Sequence, residues 1–246
     1  MVVRDAIGAS IPGAGVGCGI ARTALEDLAA AHGGEPFARE SLTEDYELGQ
    51  RIAALGGKGR FVRARSANGR LIATRAYFPE KFRTAVRQKT RWTHGIALQG
   101  WDRLGWQGSP VSRWMMLRDR KGPVAAILLA LAYGLVGATI VVHTLTHLGV
   151  LEPITLSPLL RTLLWINLAG LVWRLLLRGV FTAHEYGWAE GQRAIPRVIV
   201  SNVIAICSGY GGVAAYILAL RGTPSEWDKT EHSAHPAARL SNEAAR

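Results

Sequence analysis

Two short constellations hold residue types that chemistry uses. Thr43-Glu44-Asp45 places a hydroxyl beside two adjacent carboxylates, and Gln88-Lys89-Thr90-Arg91-Trp92 places an amide, a guanidinium and an indole close together on one helix. Carboxylates take and give protons. A guanidinium presents a planar fork of donors that fits phosphate oxygens, and an indole presents a flat apolar face. Each constellation also has a purely local reading. Acids at a helix start favour the helix dipole beside a capping threonine, and a tryptophan next to an arginine is packing plus a surface charge. Residues 60–91 carry ten basic groups and one acid, Glu80, which makes either a solvated basic face or a surface for a polyanion.

The elements that must position these residues are legible as a pattern. Ser41-Leu42-Thr43-Glu44 fits a helix start, Leu48, Ile52 and Leu55 recur at helical spacing, and Gly56-Gly57 ends the run. Pro79-Glu80 opens a second helix that passes through Phe82, Val86 and Trp92 towards Leu98 and Trp101. Between them, alternating runs at 60–65 and 70–78 flank Ser66-Ala67-Asn68-Gly69, which predicts a β-hairpin. Upstream, residues 13–20 alternate glycine with small residues, and a short helix begins at Arg22. The glycine spacing is not the dinucleotide fingerprint and no Gly-Lys-Ser/Thr follows it. Its simplest reading is a strand or loop lying close against another backbone.

The remainder of the chain is of a different kind. It has 246 residues, a net charge of +11 and 49% apolar residues, with two cysteines, Cys18 and Cys207. That excludes a disordered chain and a disulfide scaffold, and allows about one domain and a half. Residues 122–151 and 198–220 contain no Asp, Glu, Lys or Arg, whereas about 20 apolar residues suffice to cross a bilayer. Residues 123–143 and about 159–177 read as spans. The connection 144–158 lacks Lys and Arg, while Arg113, Arg118, Arg120 and Lys121 precede the first span and Arg174, Arg178, Arg193 and Arg197 border the second. By the positive-inside rule both flanks are cytoplasmic. Residues 195–220 are long enough to span, but Pro196, Ser201, Asn202, Ser208, Gly209, Gly211 and Gly212 favour a helix lying at the cytoplasmic interface. The amino terminus lacks the charged leader and long apolar core of a signal peptide. Arg outnumbers Lys 24 to 5, a compositional habit, and lipid headgroups explain basic membrane flanks more simply than nucleic acid does.

The order of the two constellations, their separation of about forty residues, and the spans that follow directly resemble the Thr-Glu-Asp and Gln-x-x-Arg-Trp signatures of the membrane-integrated family 2 glycosyltransferases. That group includes the cellulose, chitin and hyaluronan synthases. Gly17-Cys18-Gly19-Ile20-Ala21-Arg22 resembles the family's glycine-containing loop. Ala73-Thr74-Arg75-Ala76-Tyr77-Phe78-Pro79, residues 197–202 and Trp227-Asp228-Lys229-Thr230-Glu231-His232 resemble its bacteriophage adsorption protein B branch. The resemblance implies an α/β fold, a partial GT-A-like glycosyltransferase domain followed by a helical transmembrane region. Its parts would be the carboxy-terminal half of that domain at 1–110, a membrane region at 111–222 and a cytoplasmic tail at 223–246. It implies that Asp45, with Glu44 and Thr43 beside it, forms the catalytic motif, Asp45 taking the proton from the acceptor hydroxyl. Gln88 and Arg91 would hold the nucleotide diphosphate and Trp92 would stack on the acceptor sugar, with Arg22 a weaker candidate near the glycine loop. The implied partners are a nucleotide-sugar, a glycan or lipid-linked acceptor, the lipid bilayer and proteins of an envelope complex, without nucleic acid. The implied location is the bacterial inner membrane, multi-pass, with the catalytic part cytoplasmic.

The departures from the family pattern carry expectations of their own. A divalent cation, Mg or Mn, is expected for the full-length family, yet this chain has no Asp-x-Asp, and no metal ligand is assigned in it. The isolated chain is therefore expected to be inactive, the acceptor side of a longer enzyme. Lys89 keeps the charge but loses the fork that arginine has at the second position of the usual pattern. His143 and His147 share a helix face but lack further ligands for a metal site. The alternative reading is a non-catalytic membrane module, an envelope receptor or scaffold component without a donor-binding half.

Overall fold

The computed structural model describes residues 1–38, 40–69, 71–74 and 78–223. They divide into two compact units, one formed by residues 1–126 with the chain from 207 onward, the other by residues 127–206.

In the first unit, helices α1 (Val2–Ala6), α2 (Arg22–Ala31), α3 (Glu44–Ala54) and α4 (Phe82–Trp92) are followed by a π-helical segment (Thr93–Gln99), α5 (Gly100–Leu104) and α6 (Pro110–Arg120). The helix ends follow the sequence signals. At the end of α3, Gly56 takes a positive φ of 88° and the Gly57 amide donates to the Ile52 carbonyl at 2.9 Å, a glycine stop. At the start of α6, the Ser109 hydroxyl accepts from the Ser112 amide and Pro110 occupies the first turn. Tyr46, Leu104 and Met116 form a small core with Ile96 packed against it. The Tyr46 hydroxyl donates to Asp119 at 2.9 Å, and the same carboxylate receives Arg4 from α1. Burial, and then the charge of Asp119, push the Tyr46 phenol well above its ordinary range. Next to Asp119, Arg120 is buried over the rings of Trp101 and Trp106, 5.3 and 4.7 Å from their centres, and donates to the Gly100 carbonyl. This stack ties α6 to α5.

The expected α/β, partial GT-A-like fold is not what the chain forms: no strand or sheet occurs among the described residues. The hairpin shrinks to its turn. Gly69 closes back on Ser66 at 2.8 Å and the Ile72 amide reaches the Ala64 carbonyl at 2.9 Å, but among the described residues the only strand-type bridge is a single one between Arg65 and Leu71. Two strands alone are marginal in water, and among the described residues this pair has no third strand beside it. Phe61, Val62 and Ile72 remain in solvent. Parallel sheets moreover need both faces buried, and the glycine-rich segment 13–19 spends its close approach on the backbone of α3 instead. Arg75, Ala76 and Tyr77 within the branch-like stretch, and the tail motif at 227–232, lie outside the described residues.

The second unit is built from long apolar helices. α7 (Gly122–His147), α8 (Pro158–Tyr186) and α10 (Arg197–Leu220) are each long and apolar enough to cross a membrane; α7 and α10 each extend into the first unit. After α8 the chain reverses at Gly187, φ 91°, into the short α9 (Trp188–Ala194). A Cβ at Gly191 would lie 2.6 Å from the Ala183 Cβ and 2.8 Å from the Gly179 carbonyl, so small residues let α9 lie directly on α8. Glu190 accepts from Arg197 at 2.8 Å and Arg193 at 2.6 Å. Those bonds hold its carboxyl below the usual range, Arg197 foremost.

In the first unit, the small residues of α10 that gave residues 195–220 their polar character have a packing role. A Cβ at Gly209 would lie 2.2 Å from that of Ala126, one at Gly211 2.9 Å from the Thr90 hydroxyl, and one at Gly212 3.0 Å from the Thr93 methyl. The amide end of the π-helical segment is thereby seated on α10. The Tyr216 hydroxyl adds a 2.7 Å hydrogen bond to Asp102.

Candidate active site

Thr43-Glu44-Asp45 sits at the amino end of α3, as its pattern predicts, but the threonine does not cap the helix. Thr43 is 4% exposed and its hydroxyl is buried without a hydrogen-bond partner. Its amide donates to the Ser41 hydroxyl at 3.2 Å, which in turn donates to Glu47 at 2.7 Å. Glu47 is 1% exposed and also accepts from Arg51 at 3.2 Å and Arg103 at 2.9 Å. Three donors on one buried carboxylate meet the requirement for keeping a charge inside. They tie the turn before α3 to α3 and α5.

Asp45 lies one residue inside the helix and is half-buried. Its carboxylate accepts from the Tyr46 amide at 2.8 Å, and its main-chain carbonyl accepts from the Gly13 amide at 3.1 Å. A Cβ at Gly13 would stand 2.4 Å from that carbonyl oxygen, and one at Gly15, where φ is 72°, would stand 2.9 Å from the carboxylate Oδ2. At Gly13 and Gly15 only hydrogen fits between this loop and Asp45. The next glycine, Gly17, borders the Thr74 side chain. The reading of a glycine segment packed close to another backbone thus describes its contact with α3.

Gln88, Arg91 and Trp92 all lie on α4. Gln88 and Arg91 are half-buried, and the Gln88 carbonyl oxygen is buried without a hydrogen-bond partner. Trp92 is 39% exposed and tilts towards Phe78, ring centres 6.5 Å apart. Together they make an aromatic surface open to solvent. Arg22 is not drawn in: its guanidinium, 92% exposed, pairs with Glu26 on its own helix.

What joins the two motifs is the π-helical segment immediately after Trp92. A Cβ at Gly95 would lie 2.7 and 2.8 Å from the hydroxyl and methyl of Thr43, so the segment touches the first motif with no side chain between. At its end, Gln99 accepts from the Leu42 amide at 3.2 Å and donates to the Glu40 carbonyl at 3.0 Å. His94, buried between these contacts, meets Tyr216 edge-on at 6.0 Å, and burial lowers its pKa. Glu47, Gly95 and Gln99 were not singled out from the sequence. Glu47 had a visible signal in its spacing of four from Arg51, whereas nothing in the sequence announces the π winding that aims Gln99.

The arrangement sets a half-buried carboxylate on α3 and a half-buried guanidinium on α4, beside an open aromatic surface, with the turn before α3 touching the π-helical segment after α4. That suits proton removal from one group and charge stabilisation on another. It does not supply a metal centre: among the described residues no group of three His, Cys, Asp or Glu side chains could hold an ion.

Three long apolar helices attached to a small helical unit with this site define a membrane protein. Residues 1–177 match the family described as Glycosyl transferase family group 2, and the chain belongs to that family. It is 32% identical over 255 residues to bacteriophage adsorption protein B of Escherichia coli K12, covering 94% of this chain and 34% of that protein. It is equally similar to bacteriophage N4 adsorption protein B of Escherichia coli O157:H7. The chain therefore spans about a third of the length of the curated relatives it matches. No solved structure matches it.

Proposed function

We propose that this chain carries the acceptor-side half of an inner-membrane glycosyltransferase site. The complete site would transfer a sugar from a nucleotide-sugar to a polysaccharide or lipid-linked acceptor on the cytoplasmic face. The observation that supports this is the direct contact of Gly95 with Thr43, which joins the carboxylate motif to the Gln-x-x-Arg-Trp helix in a chain of this family. In this reading Asp45 removes the proton from the acceptor hydroxyl as that oxygen attacks the anomeric carbon. The bond from that carbon to the nucleotide diphosphate breaks, and the diphosphate leaves with the bond's electrons. Arg91 and Gln88 bind the leaving diphosphate, where a guanidinium stabilises the growing charge. Trp92, with Phe78 beside it, offers the face on which the acceptor sugar stacks. Glu44 and Thr43 shape the turn that presents Asp45.

The divalent cation expected of the family does not fit the described residues of this chain, so no step here passes through it. Its ligands would come from carboxylates elsewhere in the complete enzyme. The test uses membranes of cells making the complete enzyme of which this chain is the acceptor side, supplied in turn with radiolabelled UDP-glucose, UDP-galactose, UDP-N-acetylglucosamine and GDP-mannose. Asp45→Asn and Trp92→Ala are expected to abolish incorporation while the protein stays in the membrane. Normal turnover in both variants overturns the assignment. The second reading, a non-catalytic module, is favoured by the lack, among the described residues, of a group of His, Cys, Asp or Glu side chains that could hold a metal ion. It predicts no incorporation by the complete, unsubstituted protein with any of these donors.

A further inference from the structure

We infer that Gln99 is a positioning residue for the site: its side-chain amide holds the turn that presents Thr43-Glu44-Asp45 in fixed register with the Gln88-Arg91-Trp92 helix. The inference rests on the transferase reading above for its kinetic consequence, and on geometry alone for its structural one.

The turn before α3 lacks the usual means of holding a helix start. Thr43 makes no side-chain cap, and its hydroxyl has no hydrogen-bond partner. The two main-chain groups that lead into it are taken by a single side chain: Gln99 accepts from the Leu42 amide and donates to the Glu40 carbonyl. A primary amide can do both at once. A carboxylate has no proton for the Glu40 carbonyl, a hydrocarbon has neither function, and asparagine is one methylene shorter.

The aim of Gln99 depends on the π winding. In an α-helix each residue turns the chain by about 100°, and an i→i+5 segment holds an extra residue in its turn, so a side chain at its end points about one residue's rotation away from an α continuation. The segment is fixed on both sides within the first unit. Gly95 lies against Thr43 on one, while Thr93 and the His94 amide lie against Gly212 of α10 on the other. Gln99 is thus held in place by packing at Gly95 and Gly212, and in turn holds the main chain at 40–42. Asp45 lies three residues beyond the Leu42 amide, so loosening that anchor moves the carboxylate relative to the helix that carries Arg91 and Trp92.

A misplacement of about 1 Å in a reacting group costs on the order of 100-fold in rate. Gln99→Met keeps the shape of the side chain and removes both hydrogen bonds. Gln99→Glu keeps the acceptor for Leu42 and sets an oxygen against the Glu40 carbonyl. Hydrogen exchange on the full chain in detergent micelles is expected to show at least about tenfold faster exchange in peptides covering 40–46 for both variants, with peptides of α8 and α9 unchanged. In membranes carrying the complete enzyme, kcat for sugar transfer from whichever of the four donors above is used is expected to fall about 10–100-fold with KM for that donor held within about twofold. Faster exchange at 40–46 with an unchanged kcat overturns the positioning role. Unchanged exchange overturns the clamp itself, and failure of both variants to fold shows a structural part rather than a positioning residue and overturns it too. Absence of transfer by the complete, unsubstituted enzyme counts against the transferase reading and the kinetic consequence drawn from it, while the exchange result still judges the clamp.

Discussion

Replacing Gly95 by alanine tests whether the two motifs touch as described. The new Cβ would stand 2.7 Å from the Thr43 hydroxyl, 2.8 Å from its methyl and 3.1 Å from the Leu42 Cβ, where carbon atoms ordinarily settle at about 3.5–4.0 Å. About 1 Å of separation is therefore needed. Thr43 and Leu42 are both buried, and Gly95 itself is held by the seating of the π-helical segment on α10, so neither side yields without cost. Overpacking of this kind costs about 1–3 kcal/mol, which for a chain of this size lowers the unfolding midpoint by about 2–12 °C. The eight tryptophans allow the midpoint to be followed by fluorescence in detergent. Thr43→Ala removes both offending atoms, so in its background Gly95→Ala is expected to cost at least about 1 kcal/mol less. A midpoint unchanged by Gly95→Ala, or strictly additive effects of the two substitutions, refutes the contact and with it the observation that supports the proposed site.

Two further outcomes follow from buried ionisable groups. Glu47→Ala strands Arg51 and Arg103, whose side chains are 19% and 24% exposed, and is expected to cost about 3–5 kcal/mol, read as a fall in the same midpoint; a shift under about 1 °C would show the cluster to be solvated. Burial holds the His94 pKa below its ordinary value of 6.5, so the unfolded chain binds more protons there than the folded one. The stability tied to neutral His94 is present above that value and is lost as the pH falls through it towards the folded pKa. His94→Gln is expected to flatten the fall in unfolding midpoint between about pH 7 and 5, and an unaltered slope would contradict the burial.

Much of the local structure was written in the residues. The start of α3 at Glu44, its stop at Gly56-Gly57 and the long apolar helices are read from capping residues, glycine and runs of uncharged residues, all of which act within a few positions of one another. The hairpin at 60–78 was legible only as far as its Asn-Gly turn, because alternation specifies a strand only where neighbours pair with it. The Gln-x-x-Arg-Trp helix was legible through Trp92, and its continuation was not, since a π segment leaves no mark in a 3.6-residue period.

By itself, then, the sequence determined which residues could do chemistry, which segments are apolar enough to enter a bilayer, and the family to which the chain belongs. Only the tertiary structure decided that the glycine loop spends its lack of side chains on Asp45, that the glycines of α10 seat the second motif, and that Gln99 ties the two motifs together. Each of those depends on close approach between segments about thirty to over a hundred residues apart. Periodicity reports the face a residue presents, whereas contact at 2.7 to 3.2 Å depends on how the backbones are brought together.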